Sequence, residues 1–154
     1  MIYEKYSTTN FRDYDEFAAN FKVIVPENFN FAYDVVDVLA AEKPDKRALL
    51  WINAEGEERL FTFRELSLLS NQAANMLKAE GIQKGDKVML ILKRHYEFWI
   101  AILALHKIGA IGIPATHLLT KKDIAYRNNA AGVKMIIATS DDTLKEHVEA
   151  GEAD

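Results

Sequence analysis

The chain contains no cysteine among its 154 residues. That removes disulfides, thiolate nucleophiles and Cys-ligated zinc or iron-sulfur sites from consideration. Long apolar runs are also missing. The most apolar stretch, Phe98 to Leu119, is broken by His106-Lys107 and by Pro114, whereas a membrane-spanning helix needs about 20 consecutive apolar residues. Residues 1 to 25 alternate charged and aromatic side chains without an apolar centre, so they show no secretory pattern. Positive charge is not in excess: 19 Lys and Arg stand against 23 Asp and Glu, a net charge of -4. A binder of phosphate backbones needs a face rich in Lys and Arg. We therefore expect no nucleic acid and no membrane as partner, and a cytoplasmic location.

The recognised chemical signatures are absent too. There is no Gly-x-Gly-x-x-Gly, no Gly-x-x-x-x-Gly-Lys-Ser/Thr, no Gly-x-Ser-x-Gly and no His-Glu-x-x-His. Glu57-Glu58 and Asp141-Asp142 sit in turn-like polar stretches and read as solvated surface rather than acid-base pairs. His95, His106 and His117 recur at a spacing that one continuous helix would align, but Gly109 and Pro114 break it. Structural zinc needs about four converging ligands, so no metal site is expected.

What is present suits a soluble globular chain: 49% hydrophobic and 27% charged residues. Asp13 to Phe21 can form a short helix with Tyr14, Phe17 and Phe21 on one side, and Pro26 ends it. Residues 1 to 29 thus read as an amino-terminal arm. From there Phe31, Val35, Val38 and Leu39 follow helical spacing, with Asn30 as the expected N-cap and Lys43-Pro44 as the stop. Ala48 to Ile52 reads as a strand, Asn53 to Gly56 as a turn, and Arg59 to Phe61 as the hairpin partner.

Thr62-x-x-Glu65 is a capping box that opens a helix with Leu66, Leu69, Ala73 and Leu77 as its apolar stripe and Gly81 as its end. Beyond Gly85-Asp86 the strands Val88 to Leu92, Ile111 to Ala115 and Lys134 to Ala138 alternate with helices at Tyr96 to Ile108 and Lys121 to Ala131. Apolar strands joined through helices predict an α/β fold with a partly or wholly parallel sheet and helices on both faces. The helix around Phe98 to Leu105 is apolar on every side, which predicts burial all round.

Between Thr62 and Ala115 one order of residues stands out. It runs Thr-Phe-Arg-Glu-Leu, Ser70-Asn71 with Ala73-Ala74 and Leu77, Gly81-Ile82, Gly85-Asp86-Lys87-Val88, Glu97, and Gly109-Ala110 with Pro114. That set resembles the amino-terminal region of the AMP-forming acyl-CoA synthetases. Asn28-Phe29-Asn30-Phe31-Ala32, Asp34-Val35, Asp37, Pro114-Ala115-Thr116, Asp123-Ile124 and Tyr126-Arg127 look most like the medium-chain branch. The likeness covers nearly all of residues 10 to 140.

The resemblance implies that residues 30 to 154 are the amino-terminal α/β portion of a large adenylating domain, incomplete here. It implies ATP, magnesium and coenzyme A as cofactors of a longer enzyme that acts on a small carboxylic acid. The Thr/Ser/Gly-rich phosphate loop, the ribose-binding Asp and the adenylating Lys of that family cannot be placed on this sequence. The segment is then expected to be an inactive scaffold, to bind no cofactor tightly alone, and to have the rest of the synthetase as its partner, with self-association when isolated.

By the same resemblance Thr116, His117 and Leu118 border the coenzyme A channel, and no residue here is catalytic or a metal ligand. Leu118 stands where the family often has a polar residue, so its contact would be apolar or through the backbone. Arg94 matches an Arg of the pattern, while Lys93 and Tyr96 replace prolines common there; the bland reading of this turn and of Lys121-Lys122 is solvated basic surface. The alternative is a free-standing, non-catalytic α/β module that binds a ligand or pairs with a separate catalytic chain. The reading frame beyond Asp154 discriminates the two.

Overall fold

The computed structural model describes residues 2–151, and the chain divides into two compact units, Met1–Asn30 and Phe31–Asp154. In the first, a 3-10 turn at Ile2–Lys5 precedes helix α1 (Tyr14–Asn20). Asp13 caps α1 by accepting the Glu16 N–H at 2.8 Å. Phe17 meets Phe11 edge-on at 5.4 Å and Phe21 at 4.9 Å between ring centroids, and Ser7 bridges Val23.

The second unit opens with a π-helical stretch, Ala32–Asp37, that runs into α2 (Val38–Glu42). Phe31, which precedes this stretch, is itself in helical conformation and makes no side-chain cap bond, so the helical conformation begins directly after Asn30. Lys43 ends the helix as expected, its N–H reaching Leu39 O.

Strands β1 (Arg47–Ile52) and β2 (Glu58–Thr62) form an antiparallel hairpin. The Asn53 side chain accepts the Glu57 N–H at 2.8 Å, and Gly56 supplies the positive φ of 83° that the turn needs. Leu49 faces Phe61 on the inner side, where Phe61 is buried. Leu50, its partner Leu60, and Ile52 point outward and are exposed. The hairpin is therefore apolar on both faces, and the core covers one.

Helix α3 (Phe63–Ala79) begins at the capping box: Thr62 accepts the Glu65 N–H at 3.2 Å, and Glu65 accepts the Thr62 N–H at 2.7 Å. Its fully buried residues are Leu66, Ser70, Ala74 and Leu77, and the expected Leu69 and Ala73 are half-buried and pack against the core beside them. Ser70 tolerates burial because its hydroxyl donates to Ser67 O at 3.0 Å.

Three parallel strands follow, β3 (Lys87–Ile91), β4 (Ile111–Pro114) and β5 (Val133–Ala138), in the order β4-β3-β5. Helices α4 (Glu97–Ile108), α5 (Lys121–Ala131) and α6 (Asp142–Ala150) connect and follow them. Strand period 2 sorts the central strand between two cores. Val88 and Leu90 join Ala74 and Leu77 of α3 with Ala101, Ala104 and Leu105 of α4. Met89 and Ile91 join Leu119, Ile124 of α5 and Leu144 of α6. Helices thus cover both faces of a parallel sheet, as the sequence predicts.

Two expectations need correction. Helix α4 is not buried all round: Trp99 is 51% exposed, while Leu103, Ala104 and Leu105 carry the burial. The Asp141-Asp142 stretch is not a turn but a helix start: Asp141, exposed as expected, is the N-cap of α6, a helix the sequence reading omits.

Candidate functional site

Open α/β sheets place ligands outside the carboxyl ends of their strands, where neighbouring connections leave on opposite faces. The carboxyl end of β3 leads to α4 on one face, and that of β5 leads to α6 on the other. Between them lies a cleft of about 440 Å³ lined by Leu92, Lys93, His95, Glu97 and residues 138–141. Lys93 takes a positive φ of 48°, uncommon for a residue with a Cβ. Its Nζ reaches Asp141 Oδ2 at 2.7 Å.

The Lys93 ammonium, then the Leu144 N–H and the Thr139 hydroxyl, hold the Asp141 carboxyl down to about 2. His95 Nδ1 lies 3.8 Å from Glu97 Oε2. The Lys93 and Asp141 charges of the cleft are thus paired within it. Arg94 is exposed, and its carbonyl accepts the Trp51 indole N–H at 2.6 Å, which ties the turn to the hairpin.

Residues 116 to 120 form the turn after β4. The Ala115 N–H still bonds Leu90 O at 2.9 Å, so strand register holds to the start of the turn. Thr116 Oγ1 accepts the Leu118 N–H at 3.3 Å, and Thr116 O accepts the Leu119 N–H at 3.4 Å. Thr116, His117 and Leu118 are all exposed, Leu118 to 75%, whereas Leu119 is buried. Thr120 and Asp123 then form a second capping box at the start of α5. The Thr120 hydroxyl and N–H lower the Asp123 pKa. Lys121 and Lys122 are exposed in the first turn of α5.

Two features lie outside the sequence reading. An apolar cavity of about 470 Å³ is lined by Phe31, Val35, Leu49, Phe63, Trp99 and His106 among others. Burial lowers the His106 pKa, which favours the neutral ring against this apolar wall. Lys107, one turn beyond Leu103 on α4, is buried and bonded to Asp37, Asn71 and Ser67 O. Its sequence signal is a lone cation inside an apolar helix, which requires partners elsewhere in the chain.

The structure does not bring the three spaced histidines together. His95 borders the polar cleft, His106 the apolar cavity, and His117 the turn after β4. Among the described residues no group of three or more His, Cys, Asp or Glu is placed to hold a metal ion. Among the described residues no helix is long and apolar enough to cross a membrane.

The family model described as AMP-binding enzyme matches residues 36–154. The mitochondrial acyl-coenzyme A synthetase ACSM3 of Mus musculus is 43% identical over 97% of this chain and 27% of its own length. The mitochondrial ACSM5 of Rattus norvegicus is 44% identical over 84% of this chain and 23% of its own. Among solved structures, a Brucella canis acyl-CoA synthetase aligns with a TM-score of 0.71 and 28% identity, covering 79% of this chain and 22% of that one. A benzoate CoA ligase from Burkholderia xenovorans aligns at 0.67 with 21% identity, covering 80% and 24%, and speaks for the fold alone.

The chain thus spans about a quarter of the length of these curated relatives. The cytoplasmic expectation is corrected by these relatives, which are named as mitochondrial proteins. The physical reason is that the composition of a folded segment records its solubility and packing, whereas a compartment is set by a receptor-read address. With its matched residues extending over most of its length, the chain belongs to the AMP-binding enzyme family.

Proposed function

We propose that this chain is the amino-terminal scaffold portion of an AMP-forming acyl-coenzyme A synthetase of the medium-chain type. The observation that carries the reading is 43% identity over 97% of the chain to an acyl-coenzyme A synthetase of which it spans 27%. The whole enzyme would convert a carboxylate, ATP and coenzyme A to acyl-coenzyme A, AMP and pyrophosphate. A carboxylate oxygen attacks the α-phosphorus and expels pyrophosphate; the thiol then attacks the acyl carbonyl and expels AMP. Positioning and electrostatic stabilisation would supply most of that catalysis.

The donor set of this chain does not fit magnesium or the nucleotide phosphates. Of the two carboxylates that line its cleft, Asp141 is committed to Lys93 and to the cap of α6, and Glu97 lies beside His95; Lys121-Lys122 lack the glycine-rich loop that cradles phosphates. No adenylation step is therefore assigned to these residues. What the chain supplies is the covered sheet and, at the carboxyl end of β4, the exposed turn Thr116, His117 and Leu118 as one wall of the coenzyme A channel. Its chemistry suits the pantetheine arm: an exposed apolar side chain beside a hydroxyl.

The test is ATP–pyrophosphate exchange. The 154-residue chain is expected to show none with any carboxylate, and a synthetase containing it is expected to be active. Exchange that scales with the purified chain and disappears on denaturation would overturn the reading. In the longer enzyme Leu118→Glu is expected to raise the KM for coenzyme A and to lower exchange far less. An unchanged coenzyme A dependence would remove this turn from the channel.

A further inference from the structure

The turn after β4 is held by a residue that lies far away in sequence. His147 Nδ1 lies 3.1 Å from the carbonyl oxygen of Leu119. A carbonyl can only accept, so Nδ1 carries the hydrogen; the Nδ1–H neutral tautomer and the imidazolium both satisfy this. Helix α6 brings His147 there through its own apolar face. Leu144 and Val148, at three residues before and one after, pack with Leu119 and Ile124. Leu119 is consequently gripped twice, by its side chain in that core and by its carbonyl on the imidazole.

The residues just before it have no such grip. Both bonds inside the turn, at 3.3 and 3.4 Å, are long for an amide donor. What fixes the direction of Thr116, His117 and Leu118 is the anchorage at either end. One end is the Ala115 N–H on Leu90 O at 2.9 Å. The other is Leu119 on His147, followed by the Thr120–Asp123 cap.

We infer that His147 is a positioning residue: through the Leu119 carbonyl it sets how the turn presents Thr116, His117 and Leu118 to coenzyme A. The inference rests on the reading of that turn as a channel wall. It assigns α6 a part in the thioester half of the reaction and none in adenylation. It also separates the imidazole's role from its charge, because either protonation state donates the bond.

The test compares His147→Phe, which keeps a flat ring without the donor, with His147→Asn, whose amide N–H occupies nearly the place of Nδ1–H. In the full-length synthetase, His147→Phe is expected to raise the KM for coenzyme A by about tenfold, the worth of one hydrogen bond. ATP–pyrophosphate exchange should fall far less, and His147→Asn should restore the coenzyme A dependence. In the 154-residue chain, amide exchange at Leu118 and Leu119 should speed up in His147→Phe and not in His147→Asn.

Unchanged amide exchange in His147→Phe overturns the positioning role. So does an equal loss in both half-reactions that His147→Asn fails to rescue, since that marks a folding defect. Leu118→Glu separates this inference from its foundation. If Leu118→Glu alters coenzyme A dependence and His147→Phe does not, the wall stands and the positioning role falls. If neither alters it, both fall.

Discussion

Lys107 Nζ lies 2.8 Å from Asp37 Oδ1, with the lysine side chain only 2% exposed and the aspartate 28%. Its other protons go to Asn71 Oδ1 at 2.8 Å and Ser67 O at 3.3 Å. One ammonium thus joins the end of the π-helical stretch before α2, helix α3 and helix α4, with all three of its donors used. Removing one partner of a buried pair leaves an uncompensated charge and costs about 3–5 kcal/mol. Asp37→Ala and Lys107→Ala are each expected to destabilise the chain by that order in urea unfolding. The Asp37→Leu, Lys107→Met double variant should lie closer to the native chain than either single one. Single-variant losses below about 1 kcal/mol would show the pair to be as weak as a surface bridge.

Acid should loosen helix α6 at its first turn. The ordinary Asp carboxyl titrates at 3.8, and in the fold Asp141 is held down to about 2, chiefly by Lys93. A pKa lowered by folding gives stability above the unfolded value that is lost as pH falls through the folded value. The Lys93–Asp141 tie is therefore complete above about pH 4 and fades toward about pH 2. Amide exchange at Leu144 should accelerate across that window. Asp141→Asn should remove most of this pH dependence; a window at higher pH would point to another carboxylate.

The two capping boxes give a matched pair of measurements. Thr62→Ala and Thr120→Ala each remove the acceptor for an N3 amide, which is expected to cost about 1 kcal/mol of stability. Thr62→Ser and Thr120→Ser should recover most of it. Denaturant midpoints decide, and a silent Thr→Ala change would mean that water replaces the cap at no cost.

Both boxes are legible in the sequence because a cap is a local device: its donor and acceptor lie three residues apart. The same locality exposes the hairpin turn and the ends of α4 and α5, where Gly109 and Gly132 take left-handed conformations with φ of 71° and 62°. Strand alternation and apolar runs reveal the parallel sheet. The parts that were hidden are long-range. Nothing near Lys107 in sequence announces Asp37 or Asn71, and nothing near Leu119 announces His147. Helix α6 is obscured by its polar first turn, which reads as a loop until Asp141 is seen as its cap. The π-helical start at Ala32–Asp37 leaves the apolar spacing of an ordinary helix nearly intact, so periodicity could not reveal it.

The outer face of the hairpin carries the last prediction. Leu50, Ile52 and Leu60 are 54%, 52% and 45% exposed, and Leu50 sits directly across from Leu60. Monomers rarely leave contiguous apolar patches beyond a few hundred Å² uncovered. The chain at micromolar concentration is therefore expected to bind a hydrophobic dye and to sediment above the monomer mass. Leu50→Lys with Leu60→Lys should reduce both effects. Because both side chains already face solvent, the double change should cost at most about 0.5 kcal/mol per site. A compact monomer that binds no dye would show that the chain tolerates this face as it stands. Association that survives the two lysines would move the contact to another surface.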